Sequence, residues 1–104
     1  MTQTRNDALQ ELLAKVEAGS ADWDADFMGE HESIMVLSAW RGSLDEALGL
    51  HNAVLPGWWY SLDWKMASVT DTQDGPWFNA FTENNPARAW LMAILKALIS
   101  EITQ

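Results

Sequence analysis

The chain has 104 residues, of which 15 are Asp or Glu and 6 are Lys or Arg, so its formal net charge is −9 at pH 7. This length suits one apolar core, and we expect a single domain over residues 1–104. Strong negative charge disfavours nucleic acid and anionic membranes as partners. Without cysteine, the chain has no disulfide, thiolate metal site or cysteine nucleophile. The N-terminal residues MTQTRNDALQ lack the apolar centre of a signal peptide, and we expect a cytoplasmic protein with no membrane-spanning segment.

The first predicted element is an amphipathic helix over residues 4–18, with Gly19 as its C-terminal stop. Its apolar residues recur at helical spacing: Leu9, Leu12, Leu13 and Val16. After it, Trp23 and Phe27 are spaced to share one short helical face. Residues 33–40, SIMVLSAW, suit either a strand or a helix, and we favour a helix.

A further helix is predicted after Ser43, because Ser43-Leu44-Asp45-Glu46 has the spacing of a capping box. In such a box the serine hydroxyl and the glutamate side chain each accept a backbone N–H at the start of the helix. The helix should run for about two turns. It should bury Leu44, Ala47, Leu48 and His51. Pro56-Gly57 then interrupts the chain.

From Trp58 the apolar period changes to two, as in a half-buried strand. One face of that strand carries Trp58, Tyr60, Leu62, Trp64 and Met66, and the other carries Trp59, Ser61, Asp63 and Lys65. Asp74-Gly75-Pro76 is predicted as a turn, and WFNAFT after it as a second strand. If the chain bends within residues 63–66, the sheet gains a third strand.

The last predicted helix begins at Asn85, a good N-cap, with Pro86 at the first helical position. It continues to the end of the chain with a wide apolar stripe: Trp90, Leu91, Ile94, Leu95, Leu98 and Ile102. Small residues permit its close approach to a sheet: Ala87, Ala89, Ala93 and Ala97. We therefore predict an α+β fold, in which a small antiparallel sheet of two or three strands packs in layers against the N-terminal and C-terminal helices.

Four segments, SLDEALGL, LPGWWYSL, GPWFNAF and NPARAWLMAILKAL, resemble in this order a family of small phage and prophage domains, the phage ABA sandwich domain. They are similar to the family's Ser-Leu-Asp-x-Ala-Leu helix, its Pro-Gly-Trp strand and its closing Pro-Ala-x-Ala helix. The resemblance covers residues 43–99, whereas residues 28–41 are longer than in the family. It implies a phage origin and a layered α/β fold, and it implies no activity and no catalytic residues.

Residues 21–33, ADWDADFMGEHES, form an Asp-rich segment that partly matches a calcium loop. Its aspartates fit positions 1, 3 and 5 of the loop: Asp22, Asp24 and Asp26. Phe27 and Ser33 stand where the loop requires Gly at position 6 and a bidentate Glu at position 12. Glu30-His31-Glu32 is a poor chelate on either a helix or a strand. We therefore expect no bound metal and no cofactor.

The chain contains no catalytic motif, because its glycines are dispersed and it has neither a phosphate loop nor a nucleophile elbow. We expect no enzymatic activity, and a metal-dependent hydrolase is the least favoured alternative. Direct binding to DNA or RNA is not expected, since Lys65, Arg88 and Lys96 are too few for a phosphate track. We interpret Trp58, Trp59 and Trp64 as core and sheet-face packing.

The Asp-rich segment is predicted to bind a protein. We expect a small acidic accessory protein of a phage or prophage that binds a host protein with a basic surface. Its carboxylates would occupy a groove shaped for phosphates, as a DNA mimic that inhibits a nucleic-acid-handling or defence protein. The predicted contact residues are Asp22, Asp24, Asp26, Glu30 and Glu32, with Trp23 or Trp59 as an apolar anchor.

Two other interpretations stay open. In the first, the protein is a structural or regulatory component that forms homo-oligomers through its Trp-rich sheet face or its last helix. In the second, the acidic residues only keep a Trp-rich chain soluble.

Overall fold

The computed structural model describes residues 4–20, 22–71, 75–82 and 84–103. The helices in this part of the chain are α1 (Arg5–Glu17), α2 (Glu30–Trp40), α3 (Leu44–Val54) and α4 (Pro86–Thr103). A single 3-10 turn, Asp26–Met28, precedes α2. The strands are β1 (Trp59–Leu62), β2 (Met66–Thr70) and β3 (Phe78–Phe81).

Helix α1 confirms the first predicted helix and is one residue shorter at each end. The Thr4 hydroxyl accepts the Asp7 N–H at 3.1 Å and caps the start of the helix. After the last turn, Gly19 has a φ of +75°, a conformation that suits glycine, and its N–H donates to the Val16 carbonyl. The buried side chains of α1 follow the predicted stripe: Leu9, Leu12 and Val16.

The connection between α2 and α3 is short, with only Arg41 and Gly42 between the last residue of α2 and the cap residue Ser43. Its N–H donates to the Ser38 carbonyl at 3.0 Å and closes the end of α2. Its hydroxyl accepts the Glu46 N–H at 3.2 Å and caps the start of α3. Both predicted helices are confirmed. Only the serine half of the predicted capping box is required, because the Ser43 N–H is already bonded within α2.

The predicted burial along α3 is right except at its first residue. Ala47 and His51 are buried, and Leu48 is half-buried against the core. Leu44 is 43% exposed, so its predicted burial is wrong. It stands at the first helical position, ahead of Ala47, where α3 first reaches the core.

The strand region forms a three-stranded antiparallel sheet in the order β1-β2-β3. The chain bends after Leu62, where the Asp63 N–H donates to the Met66 carbonyl at 2.8 Å. This bend supplies the third strand, so the prediction of one continuous face from Trp58 to Met66 is wrong beyond Leu62. Trp64 lies in the turn and is 64% exposed.

One face of the sheet packs on the core, and the other face is exposed along the two edge strands. The inner face consists of Tyr60, Leu62, Ala67, Val69, Phe78 and Ala80. The opposite face, which we call the open face, carries Trp59, Ser61, Met66, Ser68, Thr70, Asn79 and Phe81. Its residues on β1 and β3 are exposed, whereas Ser68 and Thr70 of the central strand β2 are buried. Trp58 packs against the core, as predicted, but Trp59 is 52% exposed. The interpretation of Trp59 and Trp64 as packing residues is wrong. For Trp59 the alternation of a strand does not say which face is covered, and Trp64 lies in the turn after the strand.

Helix α4 lies between the sheet and the other helices. It contacts β2 and β3, and it also contacts α1, α2 and α3. The Asn85 carboxamide accepts the Arg88 N–H at 3.0 Å, as the predicted N-cap requires. Residues 89–95 are all buried, as expected for a helix with protein on every side.

The α+β prediction is confirmed, with one refinement of the layers. The N-terminal helix α1 packs on α4, and α4 is the helix that covers the sheet. No helix of the described residues is long and apolar enough to cross a membrane. Asp74 of the predicted turn and the side chain of Ile102 lie outside the described residues.

His51 connects α3 to the start of β1 and to α4. Its Nε2 lies 3.0 Å from the Trp58 carbonyl oxygen, and its Nδ1 lies 3.3 Å from Trp90 Nε1. Because an indole N–H only donates, Nδ1 accepts and Nε2 carries the hydrogen. The Tyr60 ring closes the cluster against both neighbours. Burial lowers the pKa of His51, and the hydrogen bond to the Trp58 carbonyl partly offsets this, which favours the neutral ring in the folded protein.

Candidate functional site

The Asp-rich segment connects α1 to the first turn of α2, and local hydrogen bonds shape its backbone. The Asp22 N–H donates to the Ser20 hydroxyl at 3.1 Å, and the Asp26 N–H donates to the Asp24 carboxylate at 2.7 Å. Phe27 lies in the 3-10 turn, whereas Trp23 precedes that turn. The prediction that these two residues share one helical face is therefore wrong, since the helical part is too short to include both.

The predicted acidic residues differ in their exposure. Exposed side chains are those of Asp22, Asp24, Asp26 and Glu30, and that of Glu32 is half-buried. None of the five forms an ion pair with a described residue. Glu32 is in the first turn of α2, where its carboxylate lies against Gly29 and where negative charge stabilises a helix. Glu32 therefore has a local structural role, and the other four acids face solvent.

A groove of about 620 Å³ separates the Asp-rich segment from α1. Its charged lining residues are Arg5, Glu11, Lys15, Asp22, Asp24 and Asp26, and its apolar lining includes Leu12, Trp23 and Phe27. Four carboxylates against two cations give this lining a net charge of −2. One cation is already neutralised, because Lys15 Nζ lies 3.5 Å from the Glu11 carboxylate. The aspartate wall of the groove is thus its unpaired acidic side.

Exposed apolar side chains lie beside the aspartates, and they are not among the predicted contact residues. Phe27, Ile34 and Leu37 are all exposed, Ile34 by 58%. A second, smaller cavity brings Ile34 and Leu37 next to Asp24 and Asp26. An apolar centre with a charged rim is the composition of many protein interfaces. The available signal was the spacing of Ile34 and Leu37 along α2, out of phase with the buried Val36 and Ala39.

Trp23 packs behind the aspartates with an unsatisfied donor. Its ring meets the Trp40 ring edge to face, with 6.0 Å between centroids. Its Nε1 is buried and has no hydrogen-bond partner among the described residues, and the same holds for Trp40 Nε1. Arg88 covers the Trp40 ring and donates to the Trp40 carbonyl at 3.0 Å. A buried donor without a partner costs about 1–3 kcal/mol, so this region is less well satisfied than the rest of the core.

Trp59 belongs to a different part of the molecule. It lies on β1, where it pairs with Thr70 of β2, whereas the Asp-rich segment contacts α1 and α2. The predicted set therefore divides into an acidic surface and one separate tryptophan. Of the two predicted anchors, only Trp23 lies with the acids.

The described residues contain no group of three or more His, Cys, Asp or Glu side chains placed to hold a metal ion. His31 is exposed on α2, and His51 is committed to Trp58 and Trp90. No arrangement in the described chain therefore favours the metal-dependent hydrolase, and we do not propose it.

In comparisons with known proteins, no family model, no curated protein and no solved structure matches this chain. The resemblance to the phage ABA sandwich domain stays a prediction. Function is therefore inferred from the two exposed surfaces of the chain, the acidic surface beside α1 and the open side of the sheet.

Proposed function

We propose that this protein acts by binding another protein through its acidic surface, defined as Asp22, Asp24, Asp26 and Glu30 together with Phe27, Ile34 and Leu37. The main support for this proposal is one observation. Four solvent-facing carboxylates, which form no ion pairs with described residues, border three exposed apolar side chains. The apolar centre supplies affinity by burial, and the acidic rim selects a basic partner.

Electrostatics support a partner with a positively charged groove. The whole chain carries −9, so it attracts a basic surface from a distance and accelerates encounter at low salt. Carboxylates at alternate residues of the Asp-rich segment take the place of phosphates and release the groove's counterions. Asp24 and Asp26 are held relative to each other by a hydrogen bond, so less order has to be gained on binding.

The partner class follows from this chemistry and from the sequence resemblance. Grooves lined with Lys and Arg are typical of proteins that handle nucleic acid. We propose a phage or prophage accessory protein that acts in the bacterial cytoplasm and inhibits a nucleic-acid-handling or defence protein of the host. The alternative, a structural or regulatory component that forms oligomers, is favoured by the exposed aromatic residues of the sheet.

The test compares two variants that have the same net charge but lose negative charges at different places. Asp22, Asp24 and Asp26 are changed together to Asn; in the control, the exposed Asp45, Asp63 and Asp71 are changed to Asn. Each set alters the net charge by three. We expect either set to change the free energy of unfolding by about 0.5 kcal/mol or less per site, which urea denaturation measures.

Binding should separate the two variants. Proteins retained from bacterial lysate by wild type and by the control, and lost with the Asp22/Asp24/Asp26 variant, are identified and purified. Association of each with the three proteins is then measured by stopped flow at low and at physiological salt. We expect about tenfold slower association for the Asp22/Asp24/Asp26 variant at low salt and a steep salt dependence for wild type. Equal association rates for the two variants would show that these aspartates only keep the chain soluble.

A further inference from the structure

Strand β1 is an edge of the sheet and is exposed along its whole length. Among the described residues its strand partner is β2 alone. All four of its side chains are exposed, with Trp59 and Tyr60 about half accessible. An exposed edge with large apolar side chains is a template for pairing with another strand.

The register shows which backbone groups β1 offers. The Asp63 N–H donates to the Met66 carbonyl, so the pair formed by Asp63 and Met66 is a hydrogen-bonded pair. Bonded and non-bonded pairs alternate along an antiparallel ladder, so Ser61 faces β2 with its N–H and C=O. The N–H and C=O groups of Tyr60 and Leu62 therefore point outward, away from β2.

The two edges of the sheet are protected differently. At β3, Lys96 Nζ donates to the outward Asn79 carbonyl at 2.8 Å, and a lysine on an edge opposes strand addition. At β1, residues 52–62, NAVLPGWWYSL, contain no charged side chain. This neutral interval leads directly into the exposed strand, in a chain of which 20% of residues are charged.

We propose that two copies of this protein pair antiparallel through β1 and form one continuous six-stranded sheet, in the order β3-β2-β1-β1-β2-β3. Outward N–H and C=O groups are complementary to an extended strand, and β1 provides one for its own copy under two-fold symmetry. Charge selects the same surface, because two chains of −9 repel each other least where both are neutral.

The register that uses the outward groups of both residues pairs Tyr60 with Leu62 of the second copy. Ser61 then lies opposite its own copy at the two-fold axis, with its side chain on the open face of the sheet. Trp59 flanks the pair on the same open face and covers the join. This gives Trp59 a function separate from that of the acidic surface, and the inference does not depend on the proposed function.

The interface is short, so we expect a weak dimer with a Kd on the order of 10–100 µM. Sedimentation equilibrium over a concentration range from about 1 to about 500 µM measures it. Three variants of Ser61, which is exposed, identify the surface. Ser61→Glu and Ser61→Lys each place two like charges across the axis and should weaken dimerisation about tenfold. Ser61→Thr, a neutral residue that favours strands, should keep or improve it.

The pair of charged variants distinguishes strand pairing from general repulsion. If overall charge controlled association, Ser61→Lys would strengthen it, because the net charge falls from −9 to −8. Hydrogen exchange locates the contact, and the Tyr60 and Leu62 amides should become protected as concentration rises. A wild-type protein that stays monomeric up to about 500 µM would overturn the inference. So would dimerisation that neither Ser61→Glu nor Ser61→Lys weakens.

Discussion

Buried polar groups have hydrogen-bond partners in the cluster at His51, whereas beside the acidic surface some of them have none among the described residues. At His51, each ring nitrogen has a partner, and the Trp90 indole N–H donates to one of them. Beside the acidic surface, the indole N–H groups of Trp23 and Trp40 are buried without partners among the described residues. The four carboxylates of that surface face solvent without ion pairs to described residues. Stabilising interactions are thus concentrated around α4, and the surface with unused polar groups is the one we assign to a partner.

The largest expected effect is a cavity on the α4 side. Leu91 is completely buried, and Leu91→Ala should lower the free energy of unfolding by about 2–5 kcal/mol. Ile34→Ala, at an exposed position beside the aspartates, should cost about 0.5 kcal/mol or less. Urea denaturation measures both. Similar losses for the two variants would show that the acidic surface is as important to stability as the core.

The next largest effect is the difference in stability between the variants Trp90→Phe and Trp23→Phe. Trp90→Phe removes the hydrogen bond to His51 Nδ1 and leaves that buried acceptor unpaired, so we expect a loss of about 2–3 kcal/mol in stability. Trp23→Phe removes a donor that has no described partner. The smaller ring buries less apolar area, which destabilises the fold, and the loss of a buried donor without a partner stabilises it. The two contributions should nearly cancel, so we expect a change in stability within about 1 kcal/mol. Equal losses of stability in thermal or urea denaturation would show that the Trp23 and Trp90 indole N–H groups contribute alike to the folded state.

Acid should destabilise the His51 cluster. Burial lowers the pKa of His51 below its ordinary value of 6.5, so between the folded and unfolded pKa values the unfolded chain binds more protons. This contribution is fully present above pH 6.5 and is lost as the pH falls from there towards the folded pKa. A proton on Nδ1 would also oppose the Trp90 N–H, donor against donor.

The pH dependence can be separated from that of the carboxylates with matched histidine variants. His51→Gln should flatten the fall in stability between about pH 7 and about pH 5. His31→Gln removes an exposed histidine and should leave the slope unchanged. Denaturant midpoints measured across that range give both slopes, and identical slopes for the two variants would exclude His51 as the source.

The smallest effects belong to the acidic surface itself, where the Asn substitutions should change partner association and hardly change stability. An increase in stability of a few tenths of a kcal/mol on relief of repulsion is the expected direction. A loss above about 1.5 kcal/mol for the three substitutions together would mean that Asp24, which accepts the Asp26 N–H, holds the segment together.

The helices could be predicted because their signals are local. The Thr4 and Asn85 caps, the Gly19 stop and the apolar stripes each depend on residues within a few positions of one another. The exposure of Trp59 could not be predicted, since period-two alternation defines two faces without saying which one α4 covers. The helical spacing of Ile34 and Leu37 places them on a different face of α2 from the buried residues of that helix. Both faces are apolar, so the spacing alone does not say which face is exposed. The separation of Trp59 from the aspartates depends on long-range packing.

The join at Ser43 has a mechanical consequence for the acidic surface. Ser43 bonds to the end of α2 and to the start of α3, and only Arg41 and Gly42 separate it from the last residue of α2. This short, hydrogen-bonded connection restricts the movement of α2 relative to α3. Glu30, Ile34 and Leu37 are all carried on α2, and they keep a fixed spacing before any partner arrives. Binding at these residues therefore costs little backbone conformational entropy, whereas a loop of equal composition at the same place would lose much more of it.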